Sequence, residues 1–263
     1  MDRSPTDSPG TRFYRPKTVG ALILCALLTT LLTTSDSRTV ETLVTDIGET
    51  NTLALPDGSV VTLNTDTAVR VSHESQVLRF EIVRGEALFA MPENPYRHLL
   101  VSVADVSVSE AGTTFAVRRL DSNDVLVTVE SGTVFLVSAH TPRMALGGND
   151  QASVSEHDPV EALHTIHLTP QEVKDRLAWR YGELVFRGTT LAEAAHEFGR
   201  YNRYLKIEVL GAASAVEIGG AFSASDPLAF AQSVTFLDPA IRLQIESRSP
   251  ERRILRLTQA TPD

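Results

Sequence analysis

Hydrophobic positions along this chain follow three regimes. From Thr18 to Ser35, eighteen residues run without a charge, bounded by Lys17 and Asp36. From Asp36 to about His157 the apolar residues alternate in short runs with period two, cut by turn residues. Beyond Leu177-Ala178-Trp179-Arg180 the alternation is broken twice by helical spacing. These regimes predict five segments: 1–17, an uncharged span at 18–35, a β region at 36–157, a linker at 158–180 and an α+β region at 181–263.

In the β region, Pro56-Asp57-Gly58 supplies a turn by chemistry: proline pre-sets φ, aspartate caps, glycine takes a positive φ. Ser59–Leu63 is extended, Asn64-Thr65-Asp66-Thr67 breaks it, and Ala68–Val71 resumes. Phe80–Val83 and Glu86–Met91 flank Arg84-Gly85, and the pattern predicts a hairpin there. The same reasoning pairs Val125–Val129 with Thr133–Val137 across Glu130-Ser131-Gly132. The phase of His98–Val103 slips at Ala104-Asp105, which predicts a bulge or sharp bend. About ten strands without a helical period make an all-β sandwich or roll.

In the C-terminal region, Glu183–Phe186 reads as a strand and Thr190 as an N-cap. Leu191, Ala194, Ala195, Phe198 and Tyr201 then fall on one helical face, with Asn202 as the stop. Tyr204–Val209 and Ala215–Ile218 alternate as strands. Asp226-Pro227 opens a second helix carrying Leu228, Phe230, Ala231 and Val234. Ile241–Ile245 and Arg253–Leu257 close the order β-α-β-β-α-β-β, a small α+β fold of about 80 residues.

The uncharged span is just long enough to cross a bilayer as a helix, which takes about 17–25 residues. Arg3, Arg12, Arg15 and Lys17 precede it, so the positive-inside bias puts the N-terminus in the cytoplasm and the rest outside. A cleaved secretory signal ending near Thr33-Thr34-Ser35 fits the same residues. Both readings export residues 36–263.

Charge and chemistry narrow the function. The net charge is −9, from 33 acidic and 24 basic residues, which opposes a nucleic-acid footprint. The one cysteine, Cys25, lies in the uncharged span, so the exported part has no disulfide and no thiol chemistry. A lipoprotein site at Cys25 is disfavoured by the bulky Leu24. No GxSxG, HExxH or Walker loop occurs. His164 and His167 lack the cysteine or carboxylate neighbours of a tetrahedral metal site. No catalytic residue, metal ligand or cofactor is assigned, and a buried cluster of titratable groups would be needed to point to an enzyme.

Several runs resemble the FecR-type family of periplasmic signal transducers. They are Leu55-Pro56-Asp57-Gly58-Ser59 with Leu63-Asn64, Arg84-Gly85-Glu86-Ala87-Leu88-Phe89, Gly112-Thr113-Thr114-Phe115-Ala116-Val117 and Val127–Val134. Leu177–Arg180, Gly182–Phe186, Leu191-Ala192-Glu193 and Phe198–Asn202 are similar to the short N-terminal domain of secretins and TonB-dependent receptors. The resemblance implies a single-pass inner-membrane protein with its large C-terminal part in the periplasm. It implies contact with the signalling domain of a TonB-dependent outer-membrane transporter. It also implies a part in control of an extracytoplasmic-function sigma factor in iron-siderophore uptake, without chemistry of its own. Residues 1–17 are shorter than the family's cytoplasmic domain, and with Pro5, Pro9, Gly10 and Pro16 they are not expected to hold the sigma factor directly. The alternative is a structural or ligand-binding envelope module. For the partner interface, edge addition onto the Tyr204–Val209 or Ala215–Gly220 hairpin strands selects Leu205, Lys206, Ile207, Glu208, Val216 and Ile218.

Overall fold

Two sheets of seven strands each face one another across the larger of two hydrophobic cores. The computed structural model describes residues 40–74, 77–93, 98–110, 112–122, 124–138, 142–155, 163–249 and 252–259. The predicted span at 18–35 and the residues before it lie outside the described residues. Among the described residues no helix is long and apolar enough to cross a membrane.

The first sheet orders its strands β1 (Val40–Val44), β4 (Ala68–Glu74), β5 (Val77–Arg84), β7 (His98–Val103), β8 (Val106–Glu110), β11 (Thr133–Val137) and β12 (Met144–Gly147). The second orders β14 (Leu163–His167), β13 (Asp150–Val154), β10 (Val125–Ser131), β9 (Thr114–Arg119), β6 (Glu86–Ala90), β3 (Val60–Leu63) and β2 (Asn51–Ala54). Among the described residues only β5 and β7 run parallel within the sandwich; the other neighbouring strands are antiparallel. Alternating residues such as Leu78, Phe80 and Ile82 on β5 point inward and are buried. Phe89 stacks on Phe115 at 5.3 Å between centroids and meets Phe80 edge-on at 5.2 Å, geometries that aromatic quadrupoles favour.

The predicted all-β class holds, but two predicted hairpins do not. β5 and β6, on either side of Gly85, lie in different sheets, as do β10 and β11 on either side of Gly132. Both glycines are corners at which the chain crosses from one sheet to the other. Gly85 has φ +85°, and a Cβ there would sit 2.3 Å from the Thr67 hydroxyl; at Gly132, φ is +81° and a Cβ would sit 2.4 Å from the Thr113 methyl. Only glycine takes such a corner without strain. The slip at Ala104-Asp105 is a tight hairpin turn, with Val103 opposite Val106 and Ala104 at φ +49°.

The segment expected as a linker is largely ordered structure. Residues 163–167 form edge strand β14 on β13. Helix α1 (Pro170–Arg176) follows, with a full capping box between Thr169 and Glu172 and proline at its start, and a short 3-10 helix spans Ala178–Tyr181.

The C-terminal elements appear in the predicted order: β15 (Glu183–Thr190), α2 (Leu191–Tyr201), β16 (Leu205–Leu210), β17 (Glu217–Ser223), α3 (Pro227–Leu237), β18 (Ile241–Ser247) and β19 (Arg253–Gln259). Thr190 caps α2 with Glu193 in a second capping box, and Asp226 caps α3. The five predicted residues of α2 are all buried. They join Phe186 and Phe230 in a second core, with Phe198 and Phe230 at 4.5 Å. Residues Thr39–Asp263 form one compact unit, because this second core continues onto the sandwich: Leu88 of β6 and Ala116 of β9 belong to it. That explains why β6 is buried at four successive positions rather than alternately. One face fills the sandwich and the other is covered by the C-terminal layer.

Candidate functional site: the seam between sandwich and C-terminal layer

The seam is built on the polar run Asn64-Thr65-Asp66-Thr67, which breaks the extended pattern between β3 and β4. Asn64 and Thr67 are fully buried and Thr65 is nearly so. Desolvating such groups without partners is costly, and each is bonded. The Asn64 side-chain amide donates to Glu86 Oε2 and to the Tyr201 hydroxyl, both at 2.9 Å. The Thr67 hydroxyl donates to the Glu86 carbonyl at 3.1 Å and accepts from the Glu86 N–H.

Glu86 is 7% exposed, so its charge needs a partner. Arg200, one residue before Tyr201 at the end of α2, reaches Glu86 Oε2 at 3.1 Å. The same guanidinium pairs with Glu197 one turn back, and Glu197 also receives Arg118 of β9 at 3.3 Å. Burial pushes the Glu197 pKa up, but the charges of Arg200 and Arg118 outweigh it and hold the carboxyl below its ordinary value. Burial acts to lower the Arg200 pKa, and Glu86 and Glu197 reverse that and raise it. Burial raises the Tyr201 pKa, which keeps the phenol neutral.

A second clamp lies on the other side of the seam. Arg180, from the 3-10 helix, makes a bidentate pair with Glu130 at 2.7 and 2.8 Å. Glu130 precedes the Gly132 corner, just as Glu86 follows the Gly85 corner. Fork-on-carboxylate geometry adds direction to charge pairing.

A cluster of buried titratable groups therefore exists, and its geometry is that of a fastener. Glu86 and Glu197 are each met by a guanidinium, and the Tyr201 phenol oxygen accepts a hydrogen bond from the Asn64 amide. Among the described residues no group of three or more His, Cys, Asp or Glu side chains could hold a metal ion. His164 and His167, three apart on strand β14, face opposite ways, and His167 Nδ1 lies 2.8 Å from Asp150 Oδ1.

Beside the seam is a cleft of about 830 Å3. One wall carries Ala195 and His196 of α2 with Lys206, Ile207 and Val209 of β16; the other carries Asp66, Arg84 and Arg119 of the sandwich.

The predicted interface residues do not form one edge. Tyr204–Val209 and Ala215–Gly220 are not a hairpin: β16 pairs in parallel with β19, while β17 pairs with β15. A 3-10 turn at Gly211–Ala215 separates them. Ile207 is buried in the second core, and Leu205, Val216 and Ile218 pack against it half-buried. Lys206 is exposed, and Glu208 is bonded to Arg256. The strand β16 is nevertheless an edge, with β19 on one side only. The Arg253 N–H donates to the Tyr204 carbonyl at 2.9 Å, with Leu205 opposite Arg253. A parallel ladder bonds alternate residues, so Lys206 and Glu208 turn their backbone groups towards β19. Those of Leu205, Ile207 and Val209 face the open side, where the Ser214 hydroxyl meets the Val209 carbonyl at 3.4 Å.

Comparison with known proteins places the sandwich. The model of the FecR protein family matches residues 41–135. No curated protein sequence matches the chain significantly. Two crystal structures of a candidate anti-sigma factor from Parabacteroides distasonis ATCC 8503 share the fold at 23% identity. The 1.65 Å structure superposes with a TM-score of 0.65, covering 84% of this chain and all of the other. The 2.50 Å structure gives 0.64 and covers 85% of this chain. The shared fold thus extends through the C-terminal layer. Residues of the family-like runs in both regions, Asn64 and Glu86 on one side and Arg200 and Tyr201 on the other, meet at the seam. The stretch that the FecR protein family model matches runs from β1 into β11 of the sandwich.

Proposed function

We propose that this protein is a non-enzymatic signal transducer of the cell envelope, anchored by residues 18–35 with its C-terminal part in the periplasm. In this reading the C-terminal layer contacts the signalling domain of a TonB-dependent outer-membrane transporter. The contact contributes to control of an extracytoplasmic-function sigma factor in iron-siderophore uptake. The observation that carries it is the FecR match over residues 41–135, on a fold shared along most of the chain with a candidate anti-sigma factor. The seam supports it physically, because a transmitter needs its receiving and relaying parts held together. Crosslinking in intact cells followed by co-purification tests it. Recovery of a TonB-dependent transporter or a sigma factor is the expected result, and recovery of neither refutes the proposal. Determination of the first residue of the mature protein tests the anchor: Met1 retained supports it, and a start near Asp36 rules it out.

A further inference from the structure

The segment between β1 and β2 touches more of the molecule than its size requires. Thr45 is fully buried, and its hydroxyl donates to the Asn64 carbonyl at 2.5 Å. The Asp66 N–H donates to the Asp46 carbonyl at 3.2 Å. Gly48 donates its N–H to the Thr65 hydroxyl at 2.7 Å, and that hydroxyl donates in turn to the Arg200 carbonyl at 3.0 Å. A Cβ at Gly48 would lie 2.9 Å from the Tyr201 carbonyl oxygen. The segment is therefore wedged between the Asn64–Thr67 turn and the last turn of α2, and β16 begins four residues after Tyr201.

Strand β1, which enters this segment, is weakly held by burial. It is an edge strand paired with β4 alone, four of its five residues are exposed, and only Leu43 is half-buried. A strand with so little apolar burial belongs to the low-stability end of local opening. What fixes it is its ladder and the wedge at its C-terminal end.

We propose that Thr45–Gly48 is a coupling element that ties the retention of β1 to the position of the α2 C-terminus, with the Thr65 hydroxyl as the link. Movement of α2 and β16 would then loosen or tighten the first strand of the sandwich, which the chain reaches directly from the N-terminal segment. As a route for a signal this rests on the reading of β16 as the partner-facing edge; as a mechanical coupling it stands on the contacts alone.

Hydrogen exchange with mass spectrometry on the full chain in detergent, without any partner, tests it. Thr65→Val keeps the shape and removes the shared hydroxyl. Exchange in β1 should rise about tenfold while β9 and β10 stay within about twofold, as loss of two ordinary hydrogen bonds at a local site requires. Thr65→Ser should behave as the parent. Asn202→Ala perturbs from the far side: the Asn202 amide anchors the α2 end to the Phe198 and Ala224 carbonyls, both at 2.9 Å. It should also raise exchange in β1, though less. Unchanged β1 exchange in Asn202→Ala, or equal acceleration throughout the sandwich in Thr65→Val, overturns the coupling. If both variants behave as expected while crosslinking recovers no transporter or sigma factor, the coupling stands and the proposed function falls.

Discussion

Asn64 and Tyr201, separated by 137 positions in sequence, share a buried hydrogen bond of 2.9 Å between an amide nitrogen and a phenol oxygen. Asn64 also donates to Glu86, so the bond closes a network rather than standing alone. Removing the phenol oxygen with Tyr201→Phe leaves Asn64 one acceptor and should cost about 1 kcal/mol. Arg200→Ala strands the buried Glu86 charge, leaves Glu197 with Arg118 alone, and should cost about 3–5 kcal/mol. Urea unfolding of the two variants checks the order. Equal losses would mean that the charges at the seam contribute little.

Gly58 and Gly85 separate backbone strain from crowding. Both have a positive φ, +86° and +85°, but a Cβ at Gly58 meets nothing closer than 3.8 Å, whereas one at Gly85 meets Thr67 at 2.3 Å. Gly58→Ala should therefore cost about 1 kcal/mol, the conformational part alone. Gly85→Ala should cost roughly 3 kcal/mol or more, since corner and buried threonine must both shift. Thermal or urea unfolding of the pair reads the difference.

The direction of backbone groups on β16 gives a test of the edge. Proline at Lys206 deletes a donor that faces β19 and should lower stability by about 3 kcal/mol. Proline at Val209 deletes a donor on the open side and should leave the ladder intact. Loss of transporter crosslinking in Val209→Pro at near-parental melting temperature is the expected result. Parental crosslinking in that variant removes β16 as the contact.

Two carboxylates, Glu197 at the seam and Asp175 of α1, which is bonded by Arg187 of β15, set the response to acid. The pKa of Glu197 is depressed in the folded state, as is that of Asp175, chiefly through its bond from Arg187 and against the opposing effect of burial. A depressed folded pKa stabilises above the unfolded value, about 4 for these groups, and that contribution is lost as pH falls through the folded value. Melting temperature should hold from neutral pH down to about pH 5 and drop below about pH 4. In Glu197→Gln the acid-induced drop should be shallower.

Much of the architecture was legible because periodicity reports local structure well. The alternation of β5, the capped α2 with its five buried residues and the Asp226-Pro227 start of α3 followed from spacing and cap chemistry alone. Partnership between strands did not follow. Arg84-Gly85 and Ser131-Gly132 carry the residues of a hairpin turn, and nothing local distinguishes a chain that folds back from one that crosses to the opposite sheet. Helix α1 was missed although Thr169-Pro170-Gln171-Glu172 holds both a cap and its reciprocal glutamate; at seven residues its apolar stripe is too short to register.

The seam was the least legible feature. Asn64, Thr65 and Thr67 have the composition of an exposed turn, and only the layer packed on them makes them interior. One signal was present in Glu86, a charge at the head of Glu86-Ala87-Leu88-Phe89, where an acidic residue opens a run buried on both faces. The helical spacing of Phe198 and Tyr201 marks the buried face of α2, but Tyr201 also ends in a polar atom, and its partner lies too far along the chain for any window to reach.

The strand order carries a consequence for how the protein folds. Each sheet is assembled from segments that alternate along the chain, so neither can be finished before the other is nearly complete. Strand β14, at the end of the sandwich, joins the same sheet as β2 near its beginning. Closing loops of that span before any reward arrives predicts a high contact order and slow folding, in the range of milliseconds to seconds. Until the C-terminal layer docks, Leu88, Ala116 and the Glu86 carboxylate stand uncovered on the outer surface of the second sheet. A chain arrested before that docking would offer a sticky, half-charged face to whatever chaperone or protease meets it first.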